Sequence, residues 1–209
     1  MRKLTLITVL FIVSMFYVGC APKVMVPPKV DLKGYETIGL VEFDSNSEGN
    51  FSEYVTQEFL EAISEDQAGV KVIELGTEEE LLSDLGLFSM GPDALKAMNR
   101  KYDIRTLITG NIDFSEPSAD INGIPGLTSM GVEVNVSAIL TVKMRDAETG
   151  ATIWTSSSRA EREIADVGFT GNFFHFGSEN PDKAYGKLTD KLLRNATRDF
   201  RISYIRKRD

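Results

Sequence analysis

Val132-Glu133-Val134-Asn135-Val136-Ser137-Ala138-Ile139-Leu140-Thr141-Val142-Lys143-Met144 runs into Arg145-Asp146-Ala147-Glu148-Thr149-Gly150, and then into Ala151-Thr152-Ile153-Trp154. From Val132 to Met144 every second residue is apolar: Val132, Val134, Val136, Ala138, Leu140, Val142 and Met144. That period of two belongs to a strand with one face buried. Asp146 to Gly150 reads as a short turn with the glycine placed for positive φ. The chain then returns from Ala151 to Glu163, which predicts two long strands in an antiparallel hairpin. Trp154, the chain's one tryptophan, is expected on the core face of that hairpin.

Working outward, Thr106 to Glu116 alternates in the same way, with Ile108, Gly110, Ile112 and Phe114 on one side. Nearer the N-terminus the pattern changes. A strand is predicted at Thr37 to Phe43 and another at Val70 to Leu75. Between them lies a helix from Phe51 to Ser64 whose Phe51, Val55, Phe59 and Ile63 recur every four residues. This is a βαβ opening. A short acidic helix follows near Thr77, where Thr77 and Glu80 have capping-box spacing, and a second runs from Pro92 to Tyr102 with proline at its start. A C-terminal helix is predicted from Pro181 to Ile202, with Leu188, Leu192, Ala196 and Phe200 as its apolar line. The fold class is therefore α/β (α+β): one three-layer-like domain with a mixed sheet, the βαβ opening, the long hairpin and a C-terminal helix. Residues 36–209 are enough for one domain, since a chain of that size buries about 70% of its unfolded surface.

Residues 1–19 stand apart. Arg2 and Lys3 precede an apolar run from Leu4 to Val18, too short for a spanning helix of about 20 residues and suited to a signal peptide. The run ends in Tyr17-Val18-Gly19-Cys20, which resembles a bacterial lipobox with Tyr17 in place of the usual Leu. The resemblance implies cleavage after Gly19 and acylation of Cys20 as the lipid attachment point. Ala21 stands where an inner-membrane retention signal places Asp, so export to the outer membrane of a double-membrane bacterium is expected. Residues 20–35, with Pro22, Pro27 and Pro28, lack periodicity and read as an extended tether spanning at most about 50 Å.

Composition narrows the chemistry. The chain of 209 residues is 42% hydrophobic and 26% charged, which is ordinary for a globular protein, but it holds one Cys and one His. A disulfide framework, a thiolate zinc cluster and a multi-histidine metal site are thereby excluded. Neither G-x-G-x-x-G nor a Walker pattern occurs. The carboxylates of Glu78, Glu79 and Glu80 are explained by the dipole of a helix start, and Asp113 and Glu116 read as solvated acids. No catalytic residue, cofactor or metal is expected, and the chain is not read as an enzyme.

Three segments carry a family resemblance: Ile38-Gly39-Leu40-Val41-Glu42-Phe43, the run Tyr102 to Ile112, and Val142-Lys143-Met144-Arg145-Asp146-Ala147-Glu148-Thr149-Gly150 followed by Ile153-Trp154. Together they resemble the periplasmic lipoprotein domains of the CsgG and LpoB type, related in fold to the N-terminal domain of TolB. The resemblance covers nearly the whole chain after Cys20. It implies either a lipid-anchored module that activates a peptidoglycan synthase, as LpoB-like proteins do, or a subunit of a CsgG-like secretion channel. Loop length separates the two, because a membrane-spanning strand needs about 9 to 11 residues with alternating apolar positions. Pro117 to Gly131 and Val167 to Asn180 are each too short for two such strands and a turn, which favours the activator class.

Two surface features remain. Gly168 to Gly177 places Phe169, Phe173, Phe174 and Phe176 around His175 between glycines. This cluster is either a partner or self-association surface or a segment folded onto the core. Residues 181–209 hold nine Lys and Arg against four Asp and Glu, whereas residues 20–180 hold 12 against 27. Lys183, Lys187, Lys191, Arg194, Arg198 and Arg201 form a stripe opposite the apolar line of the C-terminal helix. It is either a solvated face or a contact for an acidic partner, an anionic envelope polymer or a neighbouring subunit. The partners expected are thus the membrane, through the lipid, and envelope protein; nucleic acid is not.

Overall fold

The computed structural model describes residues 23–115, 134–164, 167–170 and 173–206. The predicted signal peptide, Cys20 and the whole loop from Pro117 to Gly131 lie outside them. The chain divides into two compact units. One pairs the segment ending at Pro28 with the segment from Ile202, and the other is Lys29–Arg201.

In the first unit β1 (Lys23–Val26) pairs antiparallel with a C-terminal strand, Ser203–Arg206. The larger unit contains β2 (Thr37–Leu40), β3 (Asp44–Ser45), β4 (Glu48–Gly49), α1 (Phe51–Asp66), β5 (Lys71–Glu74), α2 (Glu78–Leu85), α3 (Pro92–Tyr102), β6 (Thr106–Phe114), β7 (Val134–Asp146), β8 (Thr152–Ile164), β9 (Val167–Thr170), β10 (Phe173–Phe176) and α4 (Pro181–Ala196). Ser203–Arg206 is then β11. A mixed six-stranded sheet has the order β5-β2-β6-β7-β8, with β3 also on β6. Its parallel half is the βαβ opening, β2 lying between β5 and β6. Its antiparallel half is β6-β7-β8. A second sheet has the order β4-β10-β9.

The predicted hairpin is present. Val136, Ala138, Leu140, Val142 and Met144 are all fully buried, because alternation sends every second side chain of β7 to one face. The side chains of Val132 and Val134 lie outside the described residues. At the turn, Asp146 Oδ1 accepts from the backbone N–H groups of Glu148 and Thr149 and from Thr149 Oγ1. Gly150 takes φ of +74°, where a Cβ would be strained. Gly110 on β6 serves packing instead: a Cβ there would come within 2.5 Å of the Phe43 ring.

Helices cover one face of the whole sheet and the second face of its parallel half, giving three layers there, while the outer face of β7 and β8 is largely exposed. On one side α1 and α4 bury Phe51, Val55, Phe59, Ile63, Leu188 and Leu192 against Ile38, Ile108 and the inward row of β7. On the other α2 and α3 bury Leu81, Leu82, Leu95 and Met98 against Val41, Leu107 and Ala147. Leu107 and Ile108 are adjacent yet belong to different clusters, since neighbouring strand residues point to opposite faces. The Thr77 and Glu80 capping box forms in full at the start of α2. Trp154 is buried, its ring 4.4 Å from that of Phe200 and its Nε1 donating to Asp199 Oδ2 at 3.3 Å.

Two expectations are corrected. The C-terminal helix stops at Ala196, not Ile202. Thr197 donates through both N and Oγ1 to the Leu193 carbonyl, and a 3-10 turn over Arg198–Phe200 drops Phe200 into the core. Residues 20–35 are also not a continuous extended tether over their described part. Lys23–Val26 is a strand, and Leu32 is fully buried in a 3-10 turn. The buried amide of Gln67 holds this segment. Its Nε2 donates to the carbonyls of Val30 (2.8 Å) and Phe200 (2.7 Å), and its Oε1 accepts from Leu32 N (2.9 Å). These are single long-range contacts and leave no periodic trace in the sequence.

Candidate functional site

The face of the larger unit that gathers exposed charge is built by α4 and β8. Asn180 caps α4 by accepting from Lys183 N, and Pro181 opens its first turn, where its missing N–H costs nothing. The buried residues Leu188, Leu192 and Ala196 fix the helix rotation. Lys183, Lys187, Lys191 and Arg194 are therefore exposed on the opposite side. Arg198 lies beyond the helix, on the 3-10 turn, and is exposed too. Arg201 leaves the predicted stripe. It is half-buried, with Nε 3.2 Å from Asp66 Oδ2, because the helix that would have kept it in line ends at Ala196.

Between α4 and the far end of β8 an open groove of about 920 Å³ is lined by Lys187, Lys191, Arg194, Glu161, Arg162 and Glu163, with Asn135, Asp190 and Asn195 completing it. Its lining carries both signs of charge. β8 is the last strand of its sheet among the described residues, so the groove lies beside a 13-residue border strand. A border strand presents backbone N–H and C=O groups along its outer side. The arrangement suits charged and main-chain contact with another chain.

On its other flank α4 meets α1 through acids. Tyr54 Oη donates to Asp182 Oδ1 at 3.4 Å, and the rings of Tyr54 and Tyr185 are 5.7 Å apart. Burial, then the neighbouring charges of Glu61, Asp182 and Asp190, pushes the Glu58 carboxyl up from its ordinary value. Burial and Glu58 likewise raise the Tyr54 phenol. Sequence inspection missed this cluster, since Glu58 and Asp182 are far apart in the chain and only the α1–α4 packing joins them. Of the carboxylates weighed from sequence, Glu78, Glu79 and Glu80 sit in the first turn of α2. Asp113 is exposed on β6, and Glu116 lies outside the described residues. Among the described residues no group of three or more His, Cys, Asp or Glu is placed to hold a metal ion.

The Phe-rich segment forms β9 and β10, which pair antiparallel with Phe174 opposite Phe169 and Phe173 opposite Thr170. Phe174 and Phe176 are buried, so for these two candidate partner-surface residues the core reading holds and the surface reading does not. Residues two apart on a strand share a face, and this face turns inward. The Phe176 ring lies 4.7 Å from Phe51, 4.8 Å from Phe114 and 5.4 Å from Tyr185. The backbone closes the arrangement: Asn50 N donates to Phe176 O at 3.0 Å, and Tyr185 Oη donates to Asn50 Oδ1 at 2.6 Å. His175 faces out, with Nδ1 3.5 Å from Glu48 Oε2. The side chains of Phe169 and Phe173 lie outside the described residues.

Among the described residues no helix is long and apolar enough to cross a membrane. No protein-family description and no curated protein matches the chain. Similar solved structures include the PelC dodecamer from Paraburkholderia phytofirmans, at 10% identity and a TM-score of 0.46 over 90% of this chain and 99% of that one. They also include the LpoB C-terminal domain from Salmonella enterica, at 11% identity and a TM-score of 0.39 over 66% and 86% of the two chains. Lipoprotein GNA1162 from Neisseria meningitidis is similar at 15% identity, with a TM-score of 0.39 over 61% of this chain and 83% of its own.

Proposed function

We propose that the protein is a periplasmic lipoprotein, acylated at Cys20 and held at the outer membrane, whose folded unit is a non-catalytic module that activates or assembles an envelope machine. The α4–β8 groove carries this reading: exposed cations on one helix face stand beside a 13-residue border strand. Electrostatic complementarity steers an acidic partner and sets register, and a border strand offers main-chain hydrogen bonds. The finer form names a peptidoglycan synthase, or a second copy of the chain, as the partner. Periplasmic crosslinking and pull-down test it. Lys187→Glu with Lys191→Glu and Arg194→Glu is expected to lose the crosslinked partner while melting within a few degrees of the parent, since exposed substitutions change stability little. A full set of crosslinks in that variant would remove the groove from the interface. For the anchor, labelling with a fatty-acid analogue is expected in the parent and absent in Cys20→Ser.

The channel-subunit reading is less well supported. β9 and β10 have four residues each, against the 9 to 11 of a spanning strand. β7 and β8 are long enough, but their non-core positions include Asn135, Lys143, Arg159, Glu161 and Glu163, which a lipid-facing side would not carry. Negative-stain images of detergent-extracted protein separate the readings: rings belong to a channel, compact particles to a module.

A further inference from the structure

In the ribbon of β1 and β11, Lys23 stands opposite Arg206, Val24 opposite Ile205, Met25 opposite Tyr204 and Val26 opposite Ser203. Because side chains alternate along each strand, Lys23, Arg206, Met25 and Tyr204 share one face. Two cations lie side by side at one end, and a thioether and a phenol lie side by side next to them. Tyr204 is 64% exposed and Met25 58%. A two-stranded ribbon is marginal in water by itself, and paired exposed apolar side chains mark a surface that something covers.

Chain length says what covers it. Only Ala21 and Pro22 separate Cys20 from Lys23, so their Cα atoms are at most about 11 Å apart even in a fully extended chain. With acyl chains on Cys20 in a bilayer, the Lys23–Arg206 rung is held at the depth of the headgroups. We propose that the face formed by Lys23, Met25, Tyr204 and Arg206 is a second membrane contact, docking on anionic phospholipid headgroups. This rests on the lipoprotein reading above. The opposite face holds Val24, Val26, Ser203 and Ile205 and no charge, so the cationic face is the one that matches an anionic surface. A guanidinium binds phosphate oxygens in a bidentate fork. Tyrosine suits the boundary, with its ring toward the chains and its hydroxyl toward water. A basic surface adds to the hold of acyl chains on an anionic bilayer. The C-terminal strand thereby becomes part of the anchor although it lies far from Cys20 in sequence.

The chain's single Cys permits a test that does not depend on acylation in cells. Full-length mature protein is coupled through Cys20 to a maleimide lipid in vesicles of phosphatidylethanolamine and phosphatidylglycerol, with or without brominated acyl chains. Tyr204→Trp places an indole in the face, and the parent, with Trp154 alone, supplies the background. The emission gained with Tyr204→Trp is expected to fall by about half on brominated vesicles. Adding Lys23→Gln and Arg206→Gln is expected to weaken the contact by roughly 30-fold, taking each cation at about the usual strength near an anionic surface, and so to abolish the quenching. Emission equal on brominated and ordinary vesicles overturns the proposal. So does quenching that survives both Gln substitutions, or a solution dimer that Met25→Ser with Tyr204→Ser dissociates, which would make a second copy the occupant. Fatty-acid labelling in cells is read separately: its loss would remove the lipoprotein reading, while quenching on the coupled vesicles would still assign the ribbon to headgroups.

Discussion

The hairpins β7–β8 and β9–β10 are both antiparallel and both turn apolar residues at alternate positions toward the core, yet they are held by different means. β7 and β8 pair over 12 rungs, and five consecutive inward residues of β7 are fully buried. β9 and β10 pair over four rungs, and two Phe side chains of β10 reach into an aromatic cluster supplied by other elements: Phe51 of α1, Phe114 of β6 and Tyr185 of α4. The longer hairpin carries its instructions in its own pattern. The shorter one takes its orientation from what it packs against.

The largest expected effect follows from that difference. Phe176→Ala should cost about 3 to 5 kcal/mol, the usual range for a fully buried Phe, and lower the melting temperature by about 10 °C or more. A thermal melt checks it, and an unchanged melting temperature would return β10 to the surface. Trp154→Ala should cost about 3 kcal/mol, at the low end for a buried Trp, because Trp154 keeps 9% exposure at the sheet border. Chemical denaturation should show this as a lower midpoint with little change in slope.

Gln67 extends the comparison to a segment without any repeating pattern. Gln67→Ala removes the partner of the buried Leu32 N and Phe200 carbonyl and of the half-buried Val30 carbonyl, and should cost about 2 to 3 kcal/mol. Amide hydrogen exchange should quicken first around Leu32.

The turn of the long hairpin gives a smaller and pH-dependent effect. Hydrogen bonds from the Thr149 backbone and hydroxyl hold the Asp146 carboxyl below its ordinary value. A depressed carboxyl stabilises the fold above its unfolded pKa of about 3.9 and loses that contribution as pH falls through the lower, folded value. Asp146→Ala should cost about 1 kcal/mol at pH 7 and flatten the stability profile below pH 4, as measured by melts across pH.

The smallest effect lies at the α1–α4 surface. The Glu58 carboxyl is raised, so its contribution is present below the ordinary carboxylate range and is lost as pH rises through the folded value. Glu58→Gln should therefore stabilise the protein at pH 7 by up to about 0.5 kcal/mol, as expected for relief of a partly exposed like-charge contact. The gain should shrink on acidification in the same melts.

The three-layer class, the βαβ opening, the existence of the long hairpin and the core side of α4 are legible in the sequence alone. Each rests on a repeat of two or about four residues sustained over several turns or rungs, and only one packing buries such a repeat. The sequence also showed the cationic face of α4, since a helix with one apolar line must turn its lysines outward. Tertiary structure alone decided that Phe174 and Phe176 are core, that α4 ends at Ala196, that Arg201 pairs with Asp66, and that Leu32 is pinned by Gln67. It alone paired β1 with β11, and it alone joined Glu58 to Asp182. In each of these cases the deciding partner is distant in the chain and the contact is made once. A contact made once has no period, and its free energy appears only when the surfaces that supply both halves have already been brought together.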